Sequence, residues 1–162
     1  MMRAPIEPAD DAPHLLLVDD DRRIRDLLSR FLSGEGYRVT TAMSATDARA
    51  KLLGLHFDLL ILDVMMPGMT GYEVCEQLKA SPELKAIPVI FVSALGDVEN
   101  ETRGFEVGAV DYITKPVSPP IVRARVRTHL SLVRVDELRQ TRLQIVQRLG
   151  MAAEYKDNET GL

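Results

Sequence analysis

The sequence predicts an α/β protein built on a doubly wound, five-stranded parallel sheet and followed by an extended C-terminal helix. Short apolar segments alternate with amphipathic segments as far as residue 115, and the connections between them are short. Strict alternation of this kind is typical of parallel βαβ units with helices on both faces of the sheet. The 162 residues, 46% of them hydrophobic, allow one full domain and a modest appendage, and they exclude a wholly disordered chain.

The predicted strands begin with Leu15–Val18, a continuous apolar run. A short run that is apolar on every side favours a strand that is covered on both faces. The same strand-and-helix unit then recurs along the chain. The remaining predicted strands are Tyr37–Ala42, Phe57–Leu62, Ile87–Val92 and Asp111–Thr114.

Four helices are predicted between these strands. The first has apolar residues at helical spacing from Ile24 to Leu32 and ends before Gly34 and Gly36, because glycine favours a helix end. The other three are Ala45–Leu55, Tyr72–Ala80 and Glu99–Val107, and Gly108 closes the last of them.

The two ends of the chain differ from this alternation. Residues 1–13 are rich in proline and aspartate without periodicity, and we expect them to be disordered. Ser118 and Pro119 suit a helix start, and no proline or glycine follows Pro120 until Gly150. We therefore expect a helix of about 30 residues or more, roughly 45–50 Å long, which is too long to lie on one small domain.

This C-terminal helix carries two apolar stripes. The first is expected to pack on the sheet, whereas the second has the three- and four-residue spacing of a coiled coil and is interrupted by Arg142. We therefore expect a homodimer through this helix, and a solvated helix is the alternative. The second stripe consists of Val135, Leu138, Ile145, Leu149 and Ala152.

Polar side chains follow the predicted strands at the edge where a doubly wound sheet binds its ligands. These residues are Asp19, Asp20 and Asp21 after the first strand, Asp63 after the third, Ser93 after the fourth and Lys115 after the fifth. Adjacent carboxylates repel one another unless a cation compensates them, and Mg²⁺ is usually held by one or two carboxylates. The alternative is that the acids only cap the first helix, a role that we expect for Asp21.

The other strand ends favour phosphoryl chemistry at this acid cluster. A carboxylate such as Asp63 can attack phosphorus and form an acyl phosphate. The charge on the transferred group must then be neutralised, which Mg²⁺ and Lys115 can do, while the Ser93 hydroxyl can donate to a phosphoryl oxygen. Each residue alone has an ordinary structural explanation, but their common position at one sheet edge favours a site.

Four segments, LLLVDDD, FDLLILDVMMPGMTGYEV, VIFVSA and DYITKP, resemble in order and spacing the receiver domain of bacterial response regulators. The resemblance covers about Leu15–Leu132 and implies a flavodoxin-like receiver fold. It implies that Asp63 is the phosphoacceptor and also a ligand of Mg²⁺ or Mn²⁺. Asp20 would be a direct ligand of the same ion, with Asp19 beside it. The backbone carbonyl of Met65 would be a further metal ligand.

The same resemblance assigns the switch. Ser93 corresponds to the switch hydroxyl, Lys115 to the lysine that contacts the phosphoryl group, and Tyr112 to the aromatic residue that turns inward on activation. The implied donor is the phosphohistidine of a sensor histidine kinase or of a phosphotransfer protein. Such a receiver catalyses its own phosphorylation and slow dephosphorylation but turns over no independent substrate.

The tail carries a second, shorter resemblance. LQIVQRLGMAAEYKDNETGL is similar to the opening of HD-GYP domains, which hydrolyse cyclic di-GMP at a metal site. Glu159 matches a metal-ligating glutamate of that family, but no HD or GYP sequence occurs in this chain. The implied organisation is a disordered segment 1–13, a receiver domain 14–132, a linker helix 133–154 and a truncated start of an output domain at 155–162. We expect this output domain in cis in the longer protein.

Two other functional classes are alternatives to this one. Asp19 and Asp21 form a DxD after a strand, as in haloacid-dehalogenase-type phosphatases, but the chain has no room for that fold and its cap. A phosphorylation-independent scaffold that binds protein partners is the other alternative. The single Cys75 excludes an internal disulfide framework. With no long apolar run, no secretory signal and no nucleic-acid recognition module, we expect a cytoplasmic protein that binds neither membrane nor nucleic acid.

Overall fold

The computed structural model describes residues 8–160, and the side chains of residues 8–150. The predicted fold is confirmed, with five parallel strands in the order β2-β1-β3-β4-β5 and five helices. The strands are β1 His14–Val18, β2 Arg38–Ala42, β3 Leu59–Asp63, β4 Val89–Ser93 and β5 Asp111–Thr114. The helices are α1 Arg22–Gly34, α2 Ala45–Gly54, α3 Gly71–Ala80, α4 Val98–Glu106 and α5 Pro119–Thr160.

The third and fourth strands begin two residues later than predicted. β3 begins at Leu59 instead of Phe57, and Phe57 packs its ring against His14 with the ring centroids 4.5 Å apart. β4 begins at Val89 because Pro88 has no N–H to donate, although its carbonyl accepts from the backbone N–H of Leu60. Both strands continue one residue further than predicted.

The core lies on both faces of the sheet. All residues of β3 and β4 are buried, as is β1 from Leu15 onward. Helix α1 contributes Leu28 and Leu32 to the core, and the first turns of α5 contribute Val122 and Val126. Burial on both faces is expected for a parallel sheet, and it brings the carboxyl ends of the strands to a common edge.

Near the N-terminus, residues 8–13 run into β1 through a turn. The N–H of Ala12 donates to the carbonyl of Ala9, and the carbonyls of Ala12 and Pro13 accept from the side chain and backbone of Arg38. Residues 1–7 lie outside the described part of the chain, so the expected disorder there stays a prediction.

The extended C-terminal helix is confirmed; it has 42 residues and continues through Gly150. The chain divides into two compact units, one reaching Val126 and the other starting at Arg127. In the second unit several large apolar side chains are exposed, among them Val135, Leu138 and Ile145. The side chains of Ala152 and Glu159 lie outside the described residues. The proposed boundaries at 132 and 154 remain predictions.

Over the described residues, no helix combines the length and the apolar character needed to cross a bilayer.

Candidate functional site

Three carboxylates meet at the carboxyl ends of β1 and β3. Asp19 follows β1 and Asp63 ends β3, and these two strands are neighbours in the sheet. Oxygen atoms of Asp19, Asp20 and Asp63 all lie within 4.8 Å of one another. Asp19 and Asp63 are buried, whereas Asp20 is exposed. The cluster can therefore hold a cation that remains accessible from one side.

The neighbouring Asp21 has the capping role that the sequence predicts. It is the N-cap of α1, and its side chain accepts from the backbone N–H of Arg23 at 2.9 Å. Asp19 in turn accepts from the backbone N–H of Asp21 at 2.8 Å. The backbone at the start of α1 thus fixes the orientation of the Asp19 side chain. Asp21, rather than Asp19 or Asp20, caps the N-terminus of this helix.

Lys115 provides the positive charge of the site. Its Nζ lies 3.4 Å from Oδ2 of Asp19 and 3.4 Å from Oδ1 of Asp63. Burial would lower the pKa of this ammonium group, but the two carboxylates outweigh burial and the pKa is raised. The backbone N–H of Lys115 donates to the carbonyl of Ser93 at 2.7 Å. Lys115 is therefore charged and anchored beside both acids.

Asp63 carries the largest electrostatic perturbation of the site. Burial, and then the charge of Asp19, raise its pKa to about 7, although Lys115 acts in the opposite direction. Two buried carboxylates face a single lysine, with a third acid beside them, so negative charge is in excess. A bound divalent cation would relieve that excess, and hard cations prefer carboxylate oxygens. The donor set present therefore fits Mg²⁺.

The loop after β3 depends on a close backbone approach. A Cβ at Gly71 would lie 2.4 Å from the carbonyl oxygen of Asp63, so only glycine lets α3 begin this close to the strand end. The N–H of Gly71 donates to the carbonyl of Val64 at 2.8 Å. The N–H of Met65 points at Oδ1 of Asp63, 3.4 Å away. The role of the Met65 carbonyl as a metal ligand stays a prediction.

Ser93 and Tyr112 hold the same residue of the loop after β4. The buried Ser93 hydroxyl accepts from the N–H of Leu95 at 3.0 Å, and the Tyr112 hydroxyl donates to the Leu95 carbonyl. The Tyr112 ring is buried in this structure, and this buried placement is called inward below. Because Asp63 pairs with Val92, Ser93 ends β4 at the same sheet edge as the acids. A movement of the Ser93 hydroxyl would therefore remove a hydrogen bond from Leu95, the residue that Tyr112 also contacts.

Two contributors to the site were not assigned from the sequence. Arg25 donates from Nη1 to the carbonyl of Asp19 at 2.7 Å and so ties α1 to the end of β1. Gly71 is the second, because a Cβ at this position would lie 2.4 Å from the carbonyl oxygen of Asp63. The sequence does contain a signal for the role of Arg25. It lies one helical turn after the capping residue Asp21, so its side chain can reach back to the end of β1.

The chain matches the family described as response regulator receiver domain over residues 15–127. It is 46% identical to "Transcriptional regulatory protein ResD" of Bacillus subtilis, over 72% of this chain and 47% of that protein. It is 38% identical to a "Probable cyclic di-GMP phosphodiesterase" of Vibrio cholerae, over 91% of this chain and 37% of that protein. The chain thus spans half or less of the length of these two relatives.

Among solved structures, the chain is similar to a CheY-like response regulator receiver domain protein from Methanospirillum hungatei. The TM-score is 0.73 at 29% sequence identity, and the match covers 78% of this chain and 99% of that one. The similarity thus extends over nearly the whole of that single receiver domain.

Proposed function

Since this chain belongs to the family of response regulator receiver domains, we propose that it accepts a phosphoryl group on Asp63 from a histidine kinase or a phosphotransfer protein. The observation that carries the proposal is the surroundings of Asp63. It is buried at a strand end, with carboxylate oxygens of Asp19 and Asp20 within 4.8 Å and Lys115 Nζ at 3.4 Å. This arrangement supports Asp63 as the nucleophile, because Lys115 and a bound cation could balance the negative charge of a transferred phosphoryl group.

In the proposed transfer, a carboxylate oxygen of Asp63 attacks the phosphorus of a phosphohistidine. The P–N bond breaks, its electron pair stays on the imidazole, and the acyl phosphate forms on Asp63. A bound Mg²⁺ supplies neutralisation of the charge on the phosphoryl oxygens. Asp20 and Asp63, together with the Met65 carbonyl, would hold that ion, with Asp19 beside it. Lys115 contributes a second positive charge, and its two ion pairs keep the ammonium directed at the reacting oxygens.

The phosphorylated state would be read through Ser93. The Ser93 hydroxyl can turn away from the N–H of Leu95 and donate to a phosphoryl oxygen. The loop after β4 would then lose one of its contacts at Leu95, the residue whose carbonyl accepts from the Tyr112 hydroxyl. Phosphorylation therefore favours the conformation in which these contacts suit the phosphoryl group best. The proposed location of this phosphoryl transfer is the cytoplasm.

Acetyl phosphate with Mg²⁺, followed by intact mass spectrometry, tests this function. The wild-type chain should gain one phosphoryl group, and Asp63→Asn should gain none. Asp26→Asn is the matched control, because Asp26 is an exposed α1 residue paired with Arg22 and should leave labelling unchanged. Labelling at Asp19 would support the hydrolase alternative instead, and no labelling of the wild type would support the scaffold.

The output is proposed to be an HD-GYP phosphodiesterase domain in the longer protein. The support is the similarity of the tail, with Glu159 at a metal-ligand position, and the relative from Vibrio cholerae, which matches 91% of this chain. Reading the gene beyond the codon of Leu162 tests the proposal. A histidine and an HD pair after this point would agree with it, and a DNA-binding domain in their place would reject it.

The exposed stripe of α5 supports the proposed homodimer. Val135, Leu138, Ile145 and Leu149 have the spacing of a coiled-coil seam and are more than half exposed in the single chain. Light scattering on the full chain and on a version that ends at Leu132 compares the two masses. A dimeric full chain and a monomeric short chain are expected, and equal monomeric masses would reject the dimer.

A further inference from the structure

Helix α4 rests on aromatic rings. Gly104 is its buried residue, and a Cβ added there would lie 3.0 Å from Cδ2 of Tyr112 and 3.1 Å from Cδ2 of Phe91. Glycine at this position therefore lets the helix backbone approach both rings while Tyr112 is in its inward position. A larger residue would have to move either the helix or the ring.

Tyr72 of α3 joins this surface from the side. Its hydroxyl donates to the carbonyl of Asn100 at 3.1 Å, and the guanidinium carbon of Arg103 lies 4.6 Å from its ring centroid. Two of its contacts are thus with α4 itself, one polar and one cation–π. Because Gly104 is the one buried residue of α4, these two contacts help to fix the position of the helix.

The rings of Tyr72, Phe91 and Tyr112 form one continuous row, called here the ring row. Tyr72 meets Phe91 edge-on with centroids 5.2 Å apart, and Phe91 meets Tyr112 at 6.2 Å. Burial, and then the hydroxyl of Tyr112, raise the pKa of the Tyr72 hydroxyl, so the Tyr72 hydroxyl stays a neutral donor. It donates to a carbonyl within α4, and the Tyr112 hydroxyl donates to the Leu95 carbonyl just before it.

We infer that Tyr72 and Gly104 are positioning residues that hold α4 against the inward Tyr112 and thereby favour the state that accepts a phosphoryl group at Asp63. The inference rests on the proposed function, because the ligand that would prefer the inward placement of Tyr112 is the phosphoryl group at Asp63. A contact that stabilises one of two states raises the population of that state, and it therefore raises the affinity of a ligand that prefers that state. Removing the contact should therefore weaken phosphoryl binding without any change to the acids or to Lys115.

The test uses beryllofluoride, a stable mimic of a phosphoryl group, and titration calorimetry at saturating Mg²⁺. Tyr72→Phe removes one hydroxyl, and Gly104→Ala adds one methyl group against the rings. We expect the first to weaken beryllofluoride binding about threefold to tenfold, the worth of one hydrogen bond, and the second about tenfold. The affinity for Mg²⁺ alone should stay unchanged in both variants, since neither residue touches the acids.

Matched controls lie elsewhere in the fold. Tyr37→Phe removes a hydroxyl just before β2, at the sheet edge opposite to β5, and Gly54→Ala adds a methyl group where nothing lies within 4 Å. Both should bind beryllofluoride like the wild type.

The outcomes separate the inference from the function it rests on. Failure of the wild type to bind beryllofluoride would reject the proposed function and the inference together. Normal wild-type binding with an unchanged Tyr72→Phe affinity would reject the inference alone. Equal losses of Mg²⁺ and beryllofluoride affinity would mean a general structural defect and would also reject it.

Discussion

Replacing Asp63 by asparagine should stabilise the metal-free protein, and the gain should depend on pH. Burial and the charge of Asp19 raise the pKa of Asp63 to about 7, from 3.8 for an unperturbed aspartate. Between these two values the folded state binds the proton more tightly than the unfolded state, so this group lowers stability progressively as pH rises. At 1.36 kcal/mol for each pH unit, the difference amounts to at most about 4 kcal/mol at pH 8.

Asparagine keeps the shape of the side chain and removes this cost. We expect Asp63→Asn to raise the free energy of unfolding by about 2 to 4 kcal/mol at pH 8 and by less than about 1 kcal/mol at pH 4. Urea unfolding followed by circular dichroism measures both, since the chain has no tryptophan. Asp26→Asn, which removes an exposed carboxylate, should change stability by no more than about 0.5 kcal/mol at either pH.

Magnesium provides the second arm of this experiment. At pH 8, saturating Mg²⁺ should stabilise the wild type, because the ion binds the folded acid cluster and not the unfolded chain. It should stabilise Asp63→Asn much less, so the difference between the two proteins shrinks. An asparagine variant that is destabilised to the same extent at pH 4 and pH 8 would refute this explanation. That result would mean that the Asp63 carboxylate is stabilised by its contacts rather than strained by its neighbours.

Three further substitutions test separate parts of the molecule. Gly71→Ala should destabilise the fold by about 1 to 3 kcal/mol in thermal or urea unfolding, because its Cβ would meet the Asp63 carbonyl at 2.4 Å, and an unchanged stability would contradict this. Lys115→Met should slow labelling by acetyl phosphate at least about tenfold while the fold persists, whereas wild-type rates would contradict its role. Leu138→Asp should abolish the proposed dimer in light scattering while Gln140→Asp, off the stripe, leaves it; equal effects of both would exclude the seam.

The sequence sufficed for the fold because the strands are short buried runs and the helices have clear apolar faces. The positions of Asp19 and Asp63 at one sheet edge followed from the topology alone. The predicted starts of β3 and β4 were two residues too early. At β4 the reason is that Pro88 has no N–H to donate, so regular strand pairing begins at Val89. The continuation of the C-terminal helix through Gly150 was predictable as well, because a single glycine costs a helix only about 1 kcal/mol.

The parts of the site that could not be predicted depend on distances between elements. Asp63 acquires its raised pKa because the fold buries its carboxyl group at the end of β3 and because β1 brings Asp19 to it. Tyr72 stands on a buried helix face in the sequence pattern, but its hydroxyl partner, Asn100, is 28 residues away on α4. The requirement for glycine at position 104 likewise arises from rings on β4 and β5. No local pattern records such approaches between elements.

The most direct test of the central claim is to locate the phosphoryl group on the wild-type chain. After treatment with acetyl phosphate and Mg²⁺, borohydride reduces an aspartyl phosphate to homoserine, and peptide mass spectrometry identifies the altered position. We predict homoserine at position 63 and unaltered aspartates at positions 19, 20 and 21. Homoserine at any of those three positions, with Asp63 intact, would contradict the claim.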